Sequence, residues 1–136
     1  MTFENKLVAI VNKDIEVGVA LNAIAHASLA LGAILGKESL YLQEYKDSSN
    51  NNWPISGMPY IILRGKSGEI YKAIVAAKAE SILQIAFTET MTGGTYIEQL
   101  QKTFNMQQQD HLYYGALLFG PTPIVSKITK KLSLYR

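Results

Sequence analysis

The chain contains no cysteine. Disulfide staples, thiolate nucleophiles and cysteine-held metals are therefore excluded, while the compartment is left open by that absence. Charge is sparse: Asp, Glu, Lys and Arg make up 18% of 136 residues, and the formal net charge is +2. A balance that small falls well short of the basic footprint of a dedicated nucleic-acid binder. The scarcity is concentrated in one place, because Val17 to Leu35 carries no charged residue and no lysine occurs between Lys13 and Lys37. The opening Met1-Thr2-Phe3-Glu4-Asn5 has no basic start and leads into a strand-like run, so no secretory leader is expected and the cytoplasm is the expected location. No internal repeat interrupts the chain.

What is present is the composition of one globular domain, residues 1–136, with 48% hydrophobic residues. The uncharged run Val17 to Leu35 nearly reaches the length of a bilayer span. It also holds Asn22 and His26 at mid-depth, is rich in alanine and follows a strand across a short turn. Those features suit a helix buried against a sheet, so no membrane is expected. Gly32 and Gly36, four residues apart, mark close packing and a helix end.

Periodicity gives the rest of the map. Lys6 to Ile15 opens with a strand, and Leu40 to Tyr45 reads as a short edge strand. Asp47 to Asn52, ending in Trp53-Pro54, is built of turn formers and reads as an exposed loop. Met58 to Arg64 is an almost continuous apolar run, as expected of a central strand covered on both faces. Ser67 can cap the next helix, with Glu69 in its first turn and Ile70, Ile74 and Ala77 in one stripe. Ile82 to Phe87 returns as a strand, completing a βαβ unit with parallel strands. Thr95-Tyr96-Ile97-Glu98 has the capping-box pattern, and Ile97, Leu100 and Phe104 recur at helical spacing. Tyr113 to Phe119 is the last strand, and a basic-backed helix follows it. The expected fold is α/β, with a mixed, mostly parallel sheet of four to five strands flanked by helices.

Ligands in open α/β sheets sit beyond the carboxyl ends of the strands, and four places there carry chemistry. Asp14 precedes the first helix, and Asn22 and His26 share one of its faces; His26 has the chemistry of a general base, while the plainer reading makes Asp14 a cap and the other two packing residues. Thr88-Glu89-Thr90-Met91-Thr92-Gly93-Gly94-Thr95 leads from strand to helix, and its glycine amides can cradle an anion or form a plain turn. Lys127, Lys130 and Lys131 back the final helix as candidate phosphate contacts or as a solvated face. Trp53 with Tyr41, Tyr45 and Tyr60 can stack on a ligand, form a dimer contact or pack at the rim.

The two ends of the chain also resemble a known family. Leu117-Leu118-Phe119-Gly120-Pro121, followed by a short helix, is similar to the end of type II peptidyl-tRNA hydrolases, and Lys6 to Ile15 with Ala25-His26-Ala27 is similar to their first strand and helix. The resemblance implies that fold, often as a dimer. The family's catalytic pattern departs here: Ala23 stands where it has a glutamine, the helix lysine is missing, and Glu89-Thr90-Met91 replaces its Asp-Ala-Gly turn. With Leu21-Asn22 and Pro59, the chain is identified as a member of a smaller domain-of-unknown-function family classed beside those hydrolases.

The reading that follows is a non-hydrolytic module that binds a small ligand or a protein, expected as a homodimer and with no cofactor or metal. Its candidate ligand-binding residues are Asp14, Asn22, Thr88, Thr90, Gly93 and Gly94. The alternative is a peptidyl-tRNA ester hydrolase with Glu89 or His26 orienting water and Lys127, Lys130 and Lys131 holding the tRNA phosphates.

Overall fold

A computed structural model describes residues 3–136; Met1 and Thr2, which open the stretch read for a leader, lie outside it. The first apolar run forms β1 (Asn5–Asn12), buried without interruption from Leu7 onward. A strand buried on both faces belongs in the middle of a helix-covered sheet. The uncharged run forms α1 (Val17–Ser39), whose backbone leaves helical geometry at Gly36 with φ 77°. Next come β2 (Leu42–Lys46), β3 (Asn52–Ser56), β4 (Tyr60–Gly65), α2 (Ser67–Ala79) and β5 (Leu83–Thr88). A short 3-10 turn, Glu89–Met91, leads to α3 (Tyr96–Phe104), and β6 (Tyr113–Pro121), α4 (Thr122–Thr129) and β7 (Ser133–Leu134) complete the order.

The main sheet has the order β5-β6-β1-β4-β7. β1 lies parallel to β4, with Leu7 opposite Tyr60, and antiparallel to β6, with Val8 opposite Leu118. The other two ladders, β5 with β6 and β4 with β7, are antiparallel. The sheet is mixed as expected, but a mostly parallel pairing is not what forms. The unit β4-α2-β5 carries its second strand past β1 and β6 to the far edge, so β5 runs in the direction of β4 without touching it.

Three further expectations are corrected. The central strand is β1, and β4 stands beside a two-residue edge strand with Tyr60 and Arg64 exposed. The segment read as a sheet edge, together with Trp53-Pro54 from the supposed loop, makes a separate antiparallel hairpin, β2 with β3, in which every residue is exposed. Only Asp47 to Asn51 turns, held by the Asp47 Oδ1 accepting from the Ser49 and Asn51 amides at 2.9 and 3.0 Å. Ser67 does not cap α2. Its Oγ accepts from the Tyr113 amide at 2.9 Å and ties the helix start to β6, while Glu69 Oε1 accepts from the Lys66 amide at 2.9 Å.

Two apolar clusters lie on opposite sides of the sheet. Alternate residues of β1 and β6, Val8, Ile10, Ala116 and Leu118, face α2 and α4 through Ile70, Ile74, Ala77 and Val125. The intervening Leu7, Ala9, Leu117 and Phe119 face α1 through Ala27 and Leu31. Each fully buried large side chain there contributes about 1.5–3 kcal/mol of transfer free energy. α1 has the length and composition of a membrane span, with mean hydropathy 1.7, yet it packs on the sheet of a small globular domain through Ala20, Ala23, Ala27 and Leu31. Small residues on that stripe bring the helix close to β5 and β6.

Candidate functional site

The carboxyl ends of β1, β4 and β5 meet at one end of the molecule, and a buried asparagine organises them. Asn12, 2% exposed, donates from Nδ2 to the Tyr113 carbonyl at 2.8 Å, and its Oδ1 accepts from the Asp14 amide at 2.8 Å. Sequence reasoning passed over Asn12 because it ends an apolar run. Asp14 is exposed and does not cap α1, whose cap position is Glu16 without a side-chain bond. Thr88 and Thr90 are buried, and their hydroxyls are engaged with each other at 2.7 Å. Thr103 Oγ1 then donates to Thr90 Oγ1 at 2.8 Å, so these two candidate ligand groups form a latch between β5 and α3.

The capping box of α3 is present: Thr95 Oγ1 accepts from the Glu98 amide at 3.2 Å, and Glu98 Oε1 accepts from the Thr95 amide at 3.1 Å. These bonds to Thr95 hold the Glu98 carboxyl below its ordinary range. Gly93 and Gly94 have φ of 69° and 64°, a conformation open to glycine. The Glu98 carboxylate stands 3.4 Å from where a Gly94 side chain would begin, so the helix start expected to cradle an anion already holds one. Gln99 Nε2 and Lys102 Nζ donate to the Gly93 and Thr92 carbonyls, each at 3.0 Å, which closes the loop as a satisfied turn.

Those bonds turn α3 inside out. Its polar residues Gln99, Lys102 and Thr103 anchor it to the body, and it buries no residue. The stripe read from helical spacing faces solvent, with Ile97 64%, Leu100 52% and Phe104 89% exposed. Beside it lies an open cleft of about 530 Å³, where Asn22 and His26 of α1 face Phe87 of β5, Met91 and Thr92 of the loop, and Tyr96 and Gln99 of α3. No charged side chain lines it. The His26 ring stacks on Phe87 with centroids 6.1 Å apart, and Phe87 stacks on Tyr114 at 6.5 Å. His26 is exposed, so the plainer reading of it as a buried packing residue is corrected.

Asn22 and His26 share this cleft with Gly93 of the loop, whereas Asp14, read beside Asn22 and His26, is not in its lining. Glu89 does not join them. It lines a neighbouring depression of about 870 Å³ with Thr90, Lys102 and Asp110, and its charge adds to burial in raising the Tyr114 hydroxyl. Lys127, Lys130 and Lys131 lie beside α2, across the sheet from α1. Of the aromatics, Tyr45 and Trp53 form a cross-strand pair on the exposed hairpin, Tyr41 meets Phe3 edge-on at 4.9 Å, and the Tyr60 hydroxyl pairs with Ser28 Oγ at 2.9 Å. Among the described residues, no three His, Asp or Glu side chains gather as a metal site.

A family model described as "Protein of unknown function (DUF2000)" matches residues 5–136. A solved structure of a protein of unknown function from Agrobacterium tumefaciens strain C58 is similar at 22% identity, with TM-score 0.88 over 99% of this chain and 100% of that one. That likeness is one of fold. No curated protein matches the sequence. The expected membership of a family of unknown function agrees with these findings, while kinship with peptidyl-tRNA hydrolases has no counterpart in them.

Proposed function

The chain belongs to the DUF2000 family of proteins of unknown function, and from that premise we propose that it is a non-hydrolytic binding module that works as a homodimer in the cytoplasm. The observation that carries this reading is the inverted α3, which spends its polar side on the body and offers an apolar stripe next to a neutral cleft. The outer face of α1 extends that surface through Leu21 and Leu29, 66% and 73% exposed. A monomer of 15.0 kDa is expected to expose roughly 7,000 Å². This chain exposes 8696 Å², an excess of about 1,700 Å² against the ~800 Å² per partner that a standard interface removes.

A second copy is the occupant these facts favour. Residues near a two-fold axis meet their own copies, and an uncharged helix face does so without repulsion. The β2-β3 hairpin adds to the argument, because an isolated two-stranded hairpin is marginal in water. Its Tyr45 and Trp53 lack a covering layer. A copy seated on these stripes walls the open cleft, leaving Asn22, His26, Thr92 and Gln99 to bind an uncharged polar group.

The type II peptidyl-tRNA-hydrolase-like fold belongs to the same proposal, supported by Gly120-Pro121 at the turn from β6 into α4 and by Ala25-His26-Ala27 on α1. Ester hydrolysis has less support, since His26 and Glu89 line separate depressions and the lysines lie across the sheet. Sedimentation of the wild-type chain over a range of concentrations tests the reading. Twice the 15.0 kDa chain mass is expected. A single species of chain mass at about 100 μM, weaker than a functional dimer of this area, removes it.

A further inference from the structure

Six of the 13 lysines and arginines gather at one corner of the molecule. Lys13, Arg64 and Lys131 line a small cavity of about 130 Å³ at the carboxyl ends of β1 and β4. Lys72, Lys127 and Lys130 join Lys131 along an adjoining groove of about 400 Å³ between α2 and α4. Glu69 is the one carboxylate in either lining, and its Oε1 is engaged by the Lys66 amide at 2.9 Å. Six cations less one carboxylate leave +5 at this corner, against +2 for the whole chain.

Like charges brought together on rigid elements oppose folding, and an anion relieves that repulsion. The elements here are rigid. Arg64 stands in β4 between two ladders, opposite Val11 of β1 and Ser133 of β7, and the Lys13 amide donates to the Gly65 carbonyl at 3.0 Å. Gly65 lies on the floor between Ile10 and Leu132, each 3.4 Å from where a side chain would begin there. The place is also where open α/β sheets bind ligands, beyond the ends of adjacent parallel strands.

We propose that this corner binds a small molecule carrying two or more phosphate groups. One phosphate occupies the cavity among Lys13, Arg64 and Lys131, where the planar Arg64 fork suits two oxygens and the lysines act as point charges. The next phosphate lies in the groove with Lys72, Lys127 and Lys130. The site is separate from the neutral cleft, across the sheet from α1, and does not depend on that reading.

Calorimetric titration with inorganic pyrophosphate and with a nucleoside diphosphate tests the proposal. Saturable one-to-one binding with Kd below about 1 mM is expected. Arg64→Gln and Lys131→Gln should each weaken it about tenfold, as expected for loss of one charge-assisted contact, while Lys46→Gln on the distant hairpin changes nothing. Both site residues are exposed, so the variants should fold, and circular dichroism verifies that they do. Absence of pyrophosphate binding by the wild type overturns the proposal. So does equal binding by the variants, or binding confined to a duplex RNA with a steep salt dependence.

Discussion

Thr95→Ala probes the inverted helix directly. The substitution removes the oxygen that accepts from the Glu98 amide at 3.2 Å, and loss of such a cap costs about 1 kcal/mol. In most helices that cost spreads into global stability because the helix is tied to the core. α3 has nine residues and none of them is buried, so it holds its place through Gln99, Lys102 and Thr103 rather than by apolar packing. A helix that short is marginal by itself, and its opening should be a local event. A cost of about 1 kcal/mol raises the open population roughly fivefold. In a chain kept monomeric by Leu29→Glu on the outer face of α1, amide hydrogen exchange followed by NMR should therefore show residues 99–104 exchanging about five times faster when Thr95→Ala is added, with β1 and β6 unchanged and Tm shifted by less than about 2 °C. A fall of several degrees with no local acceleration would refute the reasoning, since it would mean that α3 is coupled to the core.

Other perturbations separate packing from surface chemistry. Leu31→Ala empties a site 2% exposed beneath α1 and should cost about 3 kcal/mol, a fall in Tm of roughly 10 °C; a change under about 3 °C contradicts the assignment of α1 to the core. His26→Ala, on an exposed residue, should leave Tm within about 2 °C, whereas a larger drop would restore its role as a buried support. The Glu98 carboxyl titrates below its ordinary value of 4.5 through its bonds to Thr95, so its contribution to α3 is complete above that value and disappears as pH falls through the lowered one. The Thr95 amide resonance should follow that titration, and Glu98→Gln should abolish it; a Thr95 amide that titrates unchanged in the variant refutes the assignment.

Much of the frame was legible because burial writes itself into the sequence. The run Leu7 to Val11 was legible as a strand, and Ile70, Ile74 and Ala77 announced the inner stripe of α2. The central place that run occupies was given instead to Met58 to Arg64, because a continuous apolar run marks burial on both faces without saying which of two such strands has neighbours on each side. Periodicity, however, reports which residues share a face and not which way the face points. Ile97, Leu100 and Phe104 were read as a stripe, which they are, but Gln99 and Thr103 found hydrogen-bond partners on the loop and turned that stripe outward. The hairpin escaped for a related reason: Tyr45 and Trp53 have strand propensity, yet nothing local says that their pairing forms away from the main sheet. β7 is too short to show a period, and the pairing of Ser133 with Arg64 and of Leu134 with Leu63 brings it to β4. The site was legible in part, as Asn22 and His26 share a helix face, while Phe87, Tyr96 and Gln99 join them through tertiary packing alone. The corner made by Lys13, Arg64 and Lys131 draws on three distant segments and leaves no local motif.

The central claim is that the outer faces of α1 and α3 are an interface, and a charge placed on each tests it. Leu29→Glu and Leu100→Glu alter exposed side chains, so each isolated chain should fold normally. In a dimer each variant buries a charge, which weakens association by about 2 kcal/mol, or roughly thirtyfold. Light scattering should give twice the 15.0 kDa chain mass for the wild type and for Val75→Glu, a comparable change on α2 across the sheet. The two α1 and α3 variants should return the chain mass. A wild-type protein already at chain mass, or variants that stay dimeric, would contradict the account.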